Sequence, residues 1–283
     1  MSIKKPFVNS LAKFTPLCHR GARMEFPENT IPSFTRALEI LPGAALELDV
    51  HETADARVVV WHDHILDLKT DGRGSIADTA FSELKKIDAG YNITFDRGRT
   101  YPFKGMGYRI PLLEEFLENF TSCPFSIDIK LDNTGLAERT VSIIKKHDAL
   151  DRVVLGSFHD RIVKFIRNKY PEITSSSGKR DIICFLSLQK LGFARFAGEC
   201  GDVFMVPEFW QSSYADDAGS QIRWMRIVSE GFIKKAQNSG IPVFVWTVND
   251  EETMKKLIGW GVDGIVTDNP RLLKKVMIEH GLE

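Results

Sequence analysis

The chain has 283 residues, 37 Lys+Arg against 38 Asp+Glu, and 43% hydrophobic side chains. A chain of this length buries enough surface to fold without disulfide or metal staples, and its ordinary apolar fraction excludes a mostly disordered polymer. A net charge of −1 with interspersed signs argues against a nucleic-acid partner, which calls for a basic excess on one face.

The pattern from the N-terminus is one of short apolar runs alternating with longer amphipathic stretches. Strands are expected over 16–19, 46–50, 58–62, 125–130, 153–158, 173–177, 203–207, 243–248 and 264–267. Helical 3–4 spacing appears over 30–41, 112–120, 136–147, 161–169, 182–196, 229–239, 251–260 and 271–280. Asn29 or Thr30, Asn133, Asp160, Asp181 and Asn249 stand where N-caps belong. The count favours an α/β fold with eight barrel strands over an open sheet, and no linker or repeat divides residues 1–283 into more than one domain. The stretch at about 64–109 is atypical: it carries turn signals and six aromatics but only one helical segment, near 81–88. It reads as a cap inserted over one end of the barrel.

Only seven residues separate the strands at 46–50 and 58–62, too few for a crossover helix. Either a hairpin or a bare parallel return fits. A hairpin centred between Asp55 and Ala56 sets Asp49 opposite His62, and both arrangements make these two residues neighbours.

The longest uncharged run, 14 residues at 236–249, contains Gln, Asn, Ser and Pro. A spanning helix needs about 20 mostly apolar residues, so no transmembrane segment is expected. The N-terminus has two lysines but no apolar core or cleavage site, so a cytoplasmic location is the expectation. Cys18, Cys123, Cys184 and Cys200 are widely spaced, as buried free thiols would be.

Polar residues gather at strand ends, where barrels of this kind place their chemistry. They are Cys18-His-Arg-Gly21 with Pro27-Glu-Asn-Thr30, Leu46-Glu-Leu-Asp49, Trp61-His-Asp63 and Ser126-Ile-Asp-Ile-Lys130. Glu47 and Asp49 share one face of a strand. If that face looks into the barrel mouth, two carboxylates converge and a bound cation is the natural compensation; on an edge they would simply face water. Oxygen donors without a Cys–His pattern suit one Mg²⁺ or Ca²⁺ better than Zn²⁺. Asp128 offers a third carboxylate, and Lys130 a cation for an anionic substrate. His19 and His62 bracket the acidic pair, as the acid and base of phosphodiester cleavage would. Arg20 suits phosphate oxygens, or a salt bridge to Glu28. Trp246 is either a core aromatic or a pocket wall. His51, His64, His147, His159 and His280 read as solvated.

These motifs, in this order from about Leu17 to Leu273, resemble the glycerophosphodiester phosphodiesterases within the phospholipase-C-like phosphodiesterase barrels. The resemblance extends through Ile110-Pro-Leu-Leu-Glu-Glu115, Trp246-Thr-Val-Asn249 and the segment 261–270. It implies a distorted (β/α)₈ TIM barrel with an inserted cap, a divalent metal, and hydrolysis of a small glycerophosphodiester to glycerol 3-phosphate and an alcohol. It also implies His19 and His62 as acid and base, Glu47, Asp49 and Asp128 as metal ligands, Arg20 and Lys130 on the phosphate, and Trp246 on the glycerol side. Relatives carry Glu-x-Lys where this chain has Asp128-Ile-Lys130, and a glycine where it has Ala56. Asp71 stands where a Thr is common. A lysophospholipase-D-like reaction at the same site, or a catalytically silent phosphodiester-binding barrel, are the alternatives.

Overall fold

The protein is described by a computed structural model at residues 7–8, 12–190, 200–215 and 221–282. In chain order the first strands are β1 (Thr15–His19), β2 (Ala45–Glu52), β3 (Val58–Val60), β4 (Phe125–Ile129), β5 (Val153–Gly156) and β6 (Thr174–Ser175). They are followed by β7 (Phe204–Pro207), β8 (Phe209–Ala215), β9 (Gln221–Arg226), β10 (Val243–Trp246) and β11 (Gly264–Thr267). The helices are α1 (Ile31–Ile40), α2 (Phe81–Leu84), α3 (Leu113–Asn119), α4 (Thr134–Lys146) and α5 (Asp160–Lys169). After them come α6 (Lys179–Lys190), α7 (Glu230–Asn238), α8 (Glu251–Gly259) and α9 (Pro270–Glu279).

Parallel pairing runs β6-β5-β4-β2-β1-β11-β10-β7. Main-chain bonds from Ser177 N to Val203 O (2.9 Å) and from Asp202 N to Ser175 O (3.0 Å) join β6 to β7 and close the ring. This is a distorted (β/α)₈ barrel.

The strands read as near-continuous apolar runs because both of their faces are covered. On β2, Leu46, Leu48 and Val50 pack outward into the main core with Phe34 of α1 and Phe116 of α3. The opposite face of the barrel holds Leu17, Ala45, Val154, Val203, Phe244 and Val266, with Phe7 buried among them. Strand periodicity then fixes what stands one step higher on that inner row. His19 follows Leu17, Glu47 and Asp49 follow Ala45, Trp246 follows Phe244, and Asp268 follows Val266. Trp246 therefore faces the barrel interior. Gly264 permits the tight fit of Phe244, whose ring would lie 2.5 Å from any Cβ added there.

The return from β2 is a hairpin: β3 pairs antiparallel to β2, with Val50 opposite Val60. The register differs by one from the expected one, so Trp61 faces Asp49 and its amide donates to Asp49 O at 3.0 Å. The cause is the turn. Thr53 N bonds Arg57 O at 3.0 Å, leaving three loop residues, the last of which, Ala56, adopts φ 59°.

Other expectations shift at the ends of elements. Thr30 and Asn133 cap α1 and α4, but Asp250 caps α8 in place of Asn249. His159 occupies the N-cap of α5, and Asp160 is its first residue. Asp181 lies in the first turn of α6, accepting from Gly178 N at 2.9 Å. The predicted helix at 182–196 begins at Lys179, and its part beyond 190 lies outside the described residues. The β8–β9 hairpin fills a stretch to which the sequence pattern assigned no element. The cap after β3 contains two single 3₁₀ turns and α2. Its own small core is built from Trp61, Leu66, Ile76, Leu84, Ala89 and Ile110. All four cysteines are free, with Cys18 and Cys200 buried, Cys123 partly buried and Cys184 exposed. Among the described residues no helix is long and apolar enough to cross a membrane.

Candidate active site

The turn after β1 begins the site. Arg20 and Asn29 both sit in the left-handed region at φ 56°, followed in the first case by Gly21 at φ 90°. Gly21 has no substitute, since a Cβ there would meet Ser33 Oγ at 2.5 Å. Left-handed non-glycine residues cost on the order of 1–2 kcal/mol each and persist where surrounding contacts impose them. Here Arg20 N donates to Glu47 O (2.9 Å) and Asn29 N to Arg20 O (3.0 Å). Both side chains are thereby aimed at one carboxylate: Arg20 Nε lies 3.0 Å from Asp49 Oδ2, and Asn29 Nδ2 donates to the same oxygen at 2.9 Å.

Strand register assembles the acidic group. His19 is level with Glu47 across β1–β2, and Asp49 is level with Asp128 across β2–β4. Lys130 Nζ sits between those aspartates, 2.7 Å from Asp49 Oδ1 and 2.7 Å from Asp128 Oδ2. Burial disfavours charge on Lys130, but the two carboxylates outweigh it and raise its pKa. Burial would likewise raise Asp49, yet Lys130, Arg20 and His62 hold it well below the ordinary range. Glu47 differs. Burial and the neighbouring Asp49 push it well above its ordinary value. Its Oε2 is buried without a hydrogen-bond partner, and the nearest cationic candidate, His19 Nε2, is 3.8 Å away. A buried carboxylate oxygen without a partner is a group that a hard cation would satisfy. Among the described residues, the one group of three whose ligand atoms all lie within 4.8 Å of one another is Glu28, His62 and Asp63. Lys69 Nζ lies 2.9 Å from Glu28 and 2.7 Å from Asp63, as Lys130 Nζ lies between Asp49 and Asp128.

Each of the two histidines is held by an aspartate through Nδ1. His19 Nδ1 bonds Asp268 Oδ1 at 2.6 Å, and His62 Nδ1 bonds Asp63 Oδ1 at 2.7 Å. Burial opposes both carboxylate charges. Even so, Asp268 is lowered by His19 and Arg23, and Asp63 is lowered by His62 and Lys69. An ionised carboxylate only accepts, so Nδ1 donates and Nε2 is left for chemistry. Burial lowers the pKa of His19 itself, with Asp268 opposing. Asn249, released from capping α8, donates from Nδ2 to Asp268 Oδ2 at 2.7 Å.

Glu28 connects the parts. Its Oε1 takes Arg20 NH1 (3.1 Å) and Lys69 Nζ (2.9 Å), and its Oε2 takes Arg23 Nε at 3.1 Å. Arg23 NH1 also reaches Asp268 Oδ1 at 3.4 Å. Of the two sequence alternatives for Arg20, the salt bridge to Glu28 is formed, and Asp49 takes the Nε side of the guanidinium. His51, expected to be solvated, is buried in β2 and bonds His62 O through Nε2 at 2.9 Å. Strand β2 is covered on both faces, and the hairpin brings the His62 carbonyl over it. His159, also read as solvated, is half-buried and bonds Lys130 O at 3.2 Å. At the mouth, Phe158 meets Trp246 edge to face at 5.6 Å between centroids.

All eight residues singled out from the sequence lie on the inner row or on the loops just above it. Sequence reasoning assigned no role to Asp63, Lys69, Arg23 or Asp268, and read Asn249 only as an N-cap. Asp63 and Asp268 carried a signal, since each directly follows a strand-end residue of a quoted motif. Lys69 carried none, because the cap had to fold back first.

The Glycerophosphoryl diester phosphodiesterase family model matches residues 19–272. A glycerophosphodiester phosphodiesterase of Caldanaerobacter subterraneus subsp. tengcongensis is 30% identical over 270 residues, covering 94% of this chain and 98% of that protein. A lysophospholipase D of Homo sapiens is 27% identical over 267 residues, 91% of this chain and 84% of the relative. Among solved structures, a putative glycerophosphoryl diester phosphodiesterase of Silicibacter pomeroyi superposes with a TM-score of 0.74 at 23% identity, covering 95% of each chain. An Oleispira antarctica phosphodiesterase, solved with the product sn-glycerol-3-phosphate, gives 0.68 at 21% identity, covering 93% of this chain and 96% of that one. The chain belongs to the glycerophosphoryl diester phosphodiesterase family and is an enzyme of the phosphodiester-hydrolase class.

Proposed function

We propose that this enzyme hydrolyses small glycerophosphodiesters to glycerol 3-phosphate and an alcohol, with His19 and His62 as the acid–base pair. The observation that carries this reading is the pair of Nδ1–aspartate bonds, His19 to Asp268 and His62 to Asp63. Two imidazoles with the same nitrogen committed leave two Nε2 atoms for one proton removal and one proton delivery. One takes the proton of the substrate's glycerol 2-hydroxyl as that oxygen attacks phosphorus. The other protonates the departing alkoxide. Water then opens the cyclic phosphate with the proton roles reversed.

Glu47, Asp49 and Asp128 would hold one divalent cation, Mg²⁺ or Ca²⁺, and the buried, unpartnered Oε2 of Glu47 supports that assignment. When bound, the cation supplies Lewis acidity toward the phosphoryl oxygens. Arg20 and Lys130 lie beside those carboxylates and face the phosphate as its cationic neighbours. Trp246, on the inner row above Phe244, forms the wall toward the glycerol.

Turnover of glycerophosphocholine with and without a chelator tests the reading. Loss of activity on chelation, restored by Mg²⁺ or Ca²⁺, is expected; parental rates in both His19→Ala and His62→Ala overturn it.

The human relative's lysophospholipase D activity is the second reading. Phe95 and Tyr101 of the cap are exposed, which favours room for an acyl chain. Phe81 and Tyr108 pack on the cap's own core, which favours a short head group. Rates on glycerophosphocholine and lysophosphatidylcholine separate the two.

A further inference from the structure

Outside the catalytic centre, the cap presents a surface whose charge departs from that of the chain. Residues 92–109 contain Arg97, Arg99, Lys104 and Arg109 against the single acid Asp96. The carboxylate of Asp96 is consumed locally, accepting from Arg99 N (3.0 Å), Thr100 N (2.9 Å), Thr100 Oγ1 (2.7 Å) and Thr94 Oγ1 (2.8 Å). Those bonds hold its pKa down to about 2. The four cations are exposed, and among the described residues none of them forms an ion pair. Lys104 instead rests over the Tyr91 ring at 4.2 Å.

Large apolar side chains are exposed among these cations: Phe95 is 50% exposed, Tyr101 43% and Met106 64%. They are not loosely attached. Phe103 stacks against Phe26 (5.6 Å), Phe95 (5.9 Å) and Tyr108 (5.3 Å), which ties the loop to the β1–α1 connection. Met24 in that connection, Leu68 in the cap and Phe158 after β5 are exposed too. Met24 and Phe158 follow the barrel strands β1 and β5, and the cap is tied to the β1–α1 connection through Lys69–Glu28 and Phe103–Phe26, so these residues stand at the end of the barrel that carries the site.

We propose that the loop 95–109 docks this end of the barrel onto an anionic lipid surface. Exposed aromatic and aliphatic side chains interleaved with cations are the composition that binds an interface between lipid head groups and acyl chains. Net charge complementarity favours an anionic surface. The apolar residues come from separate loops, so a laterally adaptable plane contacts them together, whereas a rigid partner would need matched shape. The proposal goes beyond the reaction, because docking needs no substrate.

Sedimentation of the full chain with vesicles of phosphatidylglycerol and phosphatidylcholine, beside vesicles of phosphatidylcholine alone, tests it. Binding to the anionic vesicles that weakens with added salt is expected. Each cation near such a surface contributes about a fivefold factor. Arg97→Gln with Arg99→Gln and Lys104→Gln should therefore lower partitioning on the order of 100-fold. Phe95→Ser with Tyr101→Ser and Met106→Ser should also weaken it, while circular dichroism stays as in the parent. Absence of vesicle binding, parental binding by either triple variant, or equal retention by soluble polyglutamate overturns the proposal.

Discussion

Lys69 Nζ lies 2.7 Å from Asp63 Oδ2, so a cap lysine braces the carboxylate that orients His62. The same ammonium holds Glu28, and through it Arg20 and Arg23. The cap is thus joined electrostatically to Asp63 beside His62 and to Glu28 beside Arg20 and Arg23. Lys69→Met should lower kcat about tenfold with little change in KM, since such positioning effects are paid in the transition state. Steady-state kinetics checks this, and Lys69→Arg should recover part of the loss. A rise in KM alone would point to substrate binding.

Asp268 accepts from His19 Nδ1 and is itself held by Asn249. Asp268→Asn keeps the shape but presents an amide that can donate, which favours the other tautomer of His19. The expected loss in kcat is about 10²–10⁴-fold with an unchanged melting temperature. Nitrogen chemical shifts of the imidazole should report the exchanged tautomer.

Glu28 titrates below its ordinary value because Arg20, Lys69 and Arg23 outweigh its burial. A carboxyl group with a depressed folded-state pKa contributes stability that is present above its unfolded value. For Glu28 that value is near 4.5, and the contribution is lost as pH falls through the folded one. Glu28→Gln should be less stable than the parent at pH 7, with the gap closing below about pH 4.5. Urea midpoints measured across that range decide it. A gap that widens in acid would contradict the ion-pair network.

Ala56 adopts φ 59° as the last residue of the β2–β3 loop. Glycine reaches this conformation without steric cost, so Ala56→Gly should stabilise the fold by about 1 kcal/mol. The melting temperature should rise by roughly 2 °C, with kcat unchanged because the loop's polar side chain, Asp55, bonds Thr53 and Phe81 rather than a histidine.

Alternation of apolar runs and amphipathic stretches was enough to reveal the barrel, because strands covered on both faces and helices covered on one leave distinct patterns. The β8–β9 hairpin escaped that reading because it lies off the barrel ring and, among the described residues, forms a two-stranded sheet of its own. Strand parity put Glu47 beside Asp49, and the short connection to β3 brought His62 near them. The register of that hairpin was decided by three loop residues and a left-handed Ala56, neither of which periodicity encodes.

Composition and motif order by themselves determined the fold class, the family and the candidate residues at the strand ends, since these depend on local spacing. Only the tertiary structure decided which partner each charged group takes. Asp268 meets His19 across 249 residues of sequence, Lys69 meets Glu28 across 41, and His51 turns inward to hold the His62 carbonyl. The chain's charge of −1 conceals both the acidic centre and the basic cap. Charges separate in space only after folding, and a sum over the sequence cannot carry that separation.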